Sequence, residues 1–172
     1  MSNFEGMTLF VDYNKCIGCE SCEAVCKFLY SHPRIVMMRS STGIVRPLYC
    51  MHCDSAFCMK ACKQGALTRD ADGAVLLDPM RCRGCTSMNC LIACPYAAFF
   101  STGKGVRVDK CDLCKARRKK NMPPACMEMC PCGAIRYVKR EELATLKTPE
   151  WEEAYRQVLE FVRPTVTTKK ES

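Results

Sequence analysis

The chemistry open to this chain is sulfur chemistry. It carries 17 cysteines in 172 residues, and 16 of them fall into four blocks. The first block is Cys16, Cys19, Cys22 and Cys26, spaced C-x2-C-x2-C-x3-C. The second, Cys50, Cys53, Cys58 and Cys62, and the third, Cys82, Cys85, Cys90 and Cys94, are both spaced C-x2-C-x4-C-x3-C. The fourth, Cys111, Cys114, Cys126 and Cys130, sets eleven residues between its opening and closing pairs. A [4Fe–4S] cubane presents four iron corners, and each takes one thiolate. Cysteines two apart in a loop reach adjacent corners, while backbone N–H groups of the loop point at the sulfides and tune the reduction potential together with burial. Zinc ribbons also use C-x2-C pairs, but without a third cysteine so close. A disulfide scaffold needs an export signal, and Met1–Asp12 has no basic n-region, no adequate apolar stretch and no twin arginine. An odd cysteine count also fits complete pairing poorly. The pattern therefore predicts reduced, metal-holding thiols in a cytoplasmic protein.

Composition agrees. The apolar fraction is 48% and includes cysteine; without cysteine it falls to roughly 38%, a thin core for this length. Clusters would fill the interior, and the apo chain is expected not to fold, because site formation and folding are one event. The formal charge of +8 would ordinarily suggest nucleic acid. Each oxidised cubane with four thiolates carries about −2, so four of them bring the holoprotein near neutrality and remove that argument. No stretch reaches the ~18 apolar residues of a membrane span. Gly103-Lys104-Gly105 reads as a turn rather than a phosphate loop, and no Ser–His–Asp or Cys–His set suggests catalysis on this chain.

The elements that must position the thiols recur as a repeat. An apolar–Asp–basic–Cys phrase precedes three blocks, at Phe10–Cys16, Leu76–Cys82 and Val106–Cys111. A (Pro/Lys)-x-Gly/Ala-Ala-apolar phrase follows three, at Lys63–Leu67, Pro95–Phe99 and Pro131–Ile135. Short strand, cysteine loop, helical turn and short strand make one module, and its repetition predicts an α+β fold of tandem ferredoxin-like units. In two-cluster ferredoxins the fourth cysteine of such a run ligates the other cluster. Hairpins are expected for Ala66–Arg69 with Ala74–Leu77 around Asp70–Gly73, for Ala97–Phe100 with Val106–Val108, and for Arg34–Met38 with Ile44–Arg46. Thr148-Pro149 starts a C-terminal helix with Trp151, Tyr155, Val158 and Val162 on one face. That face covers the core or docks a partner. Pro164 ends the pattern, and Thr165–Ser172 reads as disordered.

These blocks, in this order, resemble the four-cluster ferredoxin-type electron-transfer subunits of molybdenum and tungsten oxidoreductases. Dimethyl sulfoxide reductase, formate dehydrogenase and formate hydrogenlyase contain such subunits, and the iron–sulfur partner of CO dehydrogenase is similar. The likeness covers Thr8 to Val138. It implies four [4Fe–4S] clusters with crossed ligation. Cys16, Cys19, Cys22 and Cys130 would hold the first, and Cys111, Cys114, Cys126 and Cys26 the second. Cys50, Cys53, Cys58 and Cys94 would hold the third, and Cys82, Cys85, Cys90 and Cys62 the fourth. Residues 1–30 and 105–140 would then form an outer half and 45–104 an inner half, with 141–172 as helix and tail. Some relatives lack the second cysteine of the third block; Cys85 is present here, so four cubanes are expected. Lys27 and Lys63 follow Cys26 and Cys62 where proline follows Cys94 and Cys130, and Phe57 precedes Cys58 where relatives often have proline. The family's membrane-bound members carry a C-terminal anchor helix, which this chain does not show.

The resemblance implies a non-catalytic electron wire. Its partner would be a large molybdenum- or tungsten-pterin subunit, with a flavin and nicotinamide subunit as a further carrier and self-association as an added way to lengthen the conductor. The competing readings are an iron–sulfur partner of CO dehydrogenase or a hydrogenase, and a freely diffusing polyferredoxin. Of the remaining residues, Cys132 reads as structural, His52 as a neighbour of a cluster, His32 as a loop residue and the methionines as cluster packing. Lys115–Lys120 (KARRKK) reads as a solvated charge run or a surface for an acidic partner.

Overall fold

A computed structural model describes residues 4–39, 43–101 and 108–162. In chain order the first half runs β1 (Met7–Val11), α1 (Ser21–Tyr30), β2 (Val36–Arg39), β3 (Val45–Leu48), α2 (Phe57–Ala61), β4 (Leu67–Arg69), β5 (Val75–Leu77), α3 (Pro79–Cys82) and α4 (Asn89–Ala93). The second half runs β6 (Phe100–Ser101), β7 (Val108–Asp109), α5 (Lys115–Arg118), α6 (Ala125–Glu128), β8 (Ile135–Lys139), α7 (Leu143–Leu146) and α8 (Pro149–Val162). The α+β class is as the repeat required. The strands pair antiparallel as β1–β8, β2–β3, β4–β5 and β6–β7.

Local chemistry explains each copy of the module. In the β4–β5 hairpin, Asp70 Oδ1 accepts from Ala74 N–H at 2.8 Å, and Gly73 takes φ 86°, which is open to glycine at little cost. The aspartate of the repeated phrase makes the turn into the cysteine loop. Asp12 Oδ1 accepts from Asn14 N–H at 3.1 Å, and Asp78 caps α3 by accepting from Met80 N–H at 2.9 Å. The chain then arrives at the first cysteine: Cys16 N–H donates to Asp12 O and Cys82 N–H to Asp78 O, each at 3.1 Å. After the second, third and fourth blocks a left-handed residue reverses the chain, Gly65 at φ 58°, Ala97 at φ 47° and Gly133 at φ 62°.

The hairpin at β2–β3 lies within two residues of its expected bounds. The β6–β7 pair is seen at Phe100↔Asp109 and Ser101↔Val108; its first strand starts later than expected because Ala97 is spent in the turn, its N–H bonded to Cys94 O at 3.3 Å, while Val106 and Arg107 lie outside the described residues. The expected Ser101–Gly105 turn falls mostly outside the described residues, as do Pro164 and the tail.

α8 begins where its signals place it, with Trp151 N–H donating to Thr148 Oγ1 at 3.3 Å. Trp151, Tyr155 and Val158 are buried. Trp151 and Tyr155 stack at 5.1 Å and 9°, Tyr13 and Phe10 close on Trp151 at 5.6 and 6.0 Å, and Trp151 Nε1–H donates to Val11 O at 2.7 Å. Each such side chain contributes roughly 1.5–3 kcal/mol by burial, with about 0.5–1.5 kcal/mol more for a well-oriented aromatic pair. Among the described residues no helix is long and apolar enough to cross a membrane.

Candidate metal centres

The short helices carry the C-x3-C pairs, and residues four apart share one helix face about one turn apart. That spacing lets one helix serve two neighbouring cavities. On α1, Cys22 lines the first cavity and Cys26 the second. From α6, Cys126 lines the second and Cys130 the first. On α2 and its C-cap, Cys58 lines the third and Cys62 the fourth. On α4 and its C-cap, Cys90 lines the fourth and Cys94 the third.

All sixteen block cysteines are thereby brought together in fours. The first cavity, 290 Å³, is lined by Cys16, Cys19, Cys22 and Cys130. The second, 350 Å³, is lined by Cys111, Cys114, Cys126 and Cys26. The third, 360 Å³, is lined by Cys50, Cys53, Cys58 and Cys94. The fourth, 340 Å³, is lined by Cys82, Cys85, Cys90 and Cys62. Each takes three thiols from one block and one from another. A single zinc ion would draw its sulfurs to about 2.3 Å from one point. Among the described residues no three His, Cys, Asp or Glu side chains close in that way. The thiols stand around the cavity walls instead, which suits a multi-iron core. All 17 cysteines are unpaired by disulfides.

Backbone N–H groups turn toward the sulfurs, as cluster thiolates require. His52 N–H donates to Cys50 Sγ and Leu113 N–H to Cys111 Sγ, both at 3.4 Å. Arg34 N–H reaches Cys26 Sγ at 3.2 Å and Ala66 N–H reaches Cys62 Sγ at 3.3 Å. Burial, and then the crowding of thiols, pushes up the pKa of Cys22 to about 12 and of Cys53 to about 11. Cys111 and Cys126 are held well above the ordinary thiol value for the same reasons. Four thiolates cannot share such a cavity without compensating positive charge, which a bound metal centre would supply.

Cys132, outside the quartets, also lines the first cavity, with its sulfur 3.7 Å from Cys130 Sγ. The methionines expected around clusters divide. Met37, Met51 and Met88 line cavities, while Met80 and Met129 are exposed.

Arg118, His32 and Lys110 have roles that the sequence did not reveal, and His52, read as a neighbour of a cluster, has a defined place. Arg118 was read as part of a solvated basic run, or of a surface for an acidic partner; it is buried. Its guanidinium pairs with Asp72 and, at 2.7 Å, with Asp70, and Nε donates to Leu113 O at 2.9 Å. This fastens the β4–β5 turn to the fourth block. His32, read as a loop residue, bonds Asp109 Oδ2 at 2.6 Å beside Arg34, which also bridges to Asp112 at 2.9 Å. Lys110 is buried, and its ammonium donates to Val75 O and, at 2.7 Å, to Cys111 O. Val75 lines the third cavity and Cys111 the second, so Lys110 joins the two. His52 is buried in the wall of the third cavity; burial first, then Lys110, Arg140, Arg118 and Arg69, holds its imidazole well below the ordinary range.

Comparison with known proteins finds iron–sulfur domains and relatives. A 4Fe-4S dicluster domain matches residues 41–140 and a 4Fe-4S binding domain matches residues 9–28. The chain is 32% identical over 160 residues to the thiosulfate reductase electron transfer subunit PhsB of Salmonella typhi, covering 85% of this chain and 82% of that one. It is 29% identical over 170 residues to the formate dehydrogenase-O iron-sulfur subunit of Escherichia coli, covering 83% of this chain and 56% of that one. It is 29% identical over 164 residues to the iron-sulfur subunit of the nitrate-inducible formate dehydrogenase of Escherichia coli, covering 79% of this chain and 55% of that one. The chain thus spans little more than half the length of the last two. With its repeated thiol-lined cavities and these relatives, the chain belongs to the 4Fe–4S dicluster family of iron–sulfur electron-transfer subunits.

Proposed function

We propose that this chain holds four [4Fe–4S] cubanes, one in each four-thiol cavity, and passes single electrons between a molybdenum- or tungsten-pterin catalytic subunit and a further redox subunit. The observation that carries the reading is the sorting of the sixteen block cysteines into four cavities of similar size, four to each. Bound there, cubanes supply reversible one-electron chemistry. Cys16, Cys19, Cys22 and Cys130 ligate the first, and Cys111, Cys114, Cys126 and Cys26 the second. Cys50, Cys53, Cys58 and Cys94 ligate the third, and Cys82, Cys85, Cys90 and Cys62 the fourth.

The order of cavities supports a single-file relay. α1 and α6 each serve the first and second. Lys110 links the second to the third through Cys111 and Val75. α2 and α4 each serve the third and fourth. Residues 1–30 with 105–140 form the outer half on this reading, and 45–104 the inner half. Protein shields the path, since Tyr49, His52, Leu113 and Val75 are buried along it. The chain's task is to hold, insulate and order the carriers; bond chemistry belongs to the partner, in a cytoplasmic complex.

Anaerobic purification of the chain with whatever accompanies it, with iron, zinc, molybdenum and tungsten counted, tests this. About sixteen irons per chain and a pterin metal in a co-purifying subunit are expected. The same iron without a companion makes the chain a free polyferredoxin. A nickel-containing companion places it with CO dehydrogenase or a hydrogenase, and zinc in place of iron overturns the reading.

A further inference from the structure

The third residue of each cysteine loop occupies the same strained place. Gly18, His52, Gly84 and Leu113 lie two residues past the opening cysteine of their blocks, with φ of 72°, 48°, 77° and 53°. The left-handed region is natural for glycine and costly for other residues. At Gly18 space is tight as well, because an added Cβ would meet Val45 Cβ at 3.0 Å and Val45 O at 3.2 Å. Two loops therefore present no side chain there and the fourth presents an apolar one. Only the second block places a hydrogen-bonding side chain at this position.

That side chain is held in one protonation pattern by its neighbour. Val75 N–H donates to His52 Nδ1 at 3.0 Å. A backbone amide can only donate, so Nδ1 carries the lone pair and Nε2 carries the hydrogen. Val75 is fixed in turn by Lys110, whose ammonium donates to Val75 O. His52 is fully buried, yet among the described residues Nε2 has no hydrogen-bond partner. A buried donor left unmatched costs free energy and calls for a ligand. His52 lies in the wall of the cavity lined by Cys50, Cys53, Cys58 and Cys94, where the acceptors are sulfurs.

Resting on the four-cluster reading, we propose that His52 Nε2–H donates a hydrogen bond to a sulfur of the cluster in the third cavity, and thereby raises that cluster's reduction potential above the value its cysteine loop alone would set. A donor to sulfur stabilises the extra negative charge of the reduced cluster. The side chain moves no proton and breaks no bond; it shifts the balance between oxidised and reduced forms of one carrier in the relay.

The test uses the holoprotein with its partner, in wild type, His52→Leu and His52→Gln. Leucine already occupies the equivalent backbone conformation at Leu113, so His52→Leu retains the loop and removes the donor. Redox titration followed by electron paramagnetic resonance is expected to show one cluster falling in potential in His52→Leu, by about tenfold in its oxidised-to-reduced ratio, or about 59 mV for one electron. The other three should be unchanged, and His52→Gln should recover part of the loss. In wild type labelled with 15N-histidine, the reduced cluster should show a nitrogen coupling that His52→Leu abolishes. Unchanged potentials, or wild-type protein without that coupling, overturn the proposal and assign Nε2 to a buried water. An equal fall in all four clusters overturns it in favour of a general structural role. Fewer than about sixteen irons in wild type is a failure of the four-cluster reading instead, and iron counting separates the two.

Discussion

The β1–β8 sheet and the β4–β5 sheet do the same work by different means. Both end in the same contact: Asp12 N–H donates to Ala134 O and Asp78 N–H to Ala66 O, each at 2.8 Å. Both lead from strand to aspartate turn to cysteine loop. Yet β4 and β5 are neighbours in sequence and pair at three positions around one tight turn, whereas β1 and β8 pair at five positions, from Met7↔Lys139 to Val11↔Ile135. The first closes a short loop, and the second must hold residues from far apart in the chain. Loop closure grows costlier with length, though slowly. The longer sheet is also held by α8 at its first strand, where Trp151 stacks on Phe10 at 6.0 Å and donates Nε1–H to Val11 O at 2.7 Å. A repeated module is therefore stabilised locally in one copy and by tertiary packing in the other.

Ligand loss should separate buried from open sites with the largest effect. Cys111 is buried and Cys19 exposed. Cys111→Ser should remove about four irons and stop electron delivery while partner turnover with an artificial dye continues. Cys19→Ser should lower the iron count in the same way with a smaller loss of thermal stability. If dye-linked turnover falls as far as electron delivery, the chain is more than a relay.

Removing the cover of the longer sheet comes next. Trp151→Ala should destabilise the holoprotein by about 3–5 kcal/mol, lowering the melting temperature by roughly 10 °C. Hydrogen exchange should quicken in β1 and β8 and stay slow in β4 and β5. Uniform quickening would mean that the two sheets open together, and the contrast between them would be lost.

The smallest effect should come from the fastening of the β4–β5 turn to the fourth block. Arg118→Met leaves Asp70 and Asp72 without their cation. It should cost about 2 kcal/mol, below the 3–5 kcal/mol of a fully buried pair, because both carboxylates keep some contact with water. Exchange should rise at the β4–β5 turn and in α5. A change in β1–β8 as large as that in the turn would show Arg118 acting on the whole fold.

The cysteine blocks, the aspartate turns, the β4–β5 hairpin and the start of α8 were legible in the sequence, because each rests on spacing or on residues a few positions apart. Spacing also sets the thiols of one C-x3-C pair a helical turn apart. Which cavity each closing cysteine enters was implied only by resemblance; in the molecule it follows from which helices pack together, α1 with α6 and α2 with α4. Lys15, Arg81 and Lys110 make the limit plain. They share one phrase and precede the opening cysteine of their blocks, but Lys15 and Arg81 are exposed while Lys110 is buried between two cavities. His52 and Arg118 are likewise ordinary in sequence and buried in the fold. Local pattern determines what a loop of this chain can bind, since ligand spacing is a short-range property. Only tertiary structure decides which polar groups lose water beside those ligands, since burial depends on segments that meet from distant parts of the chain.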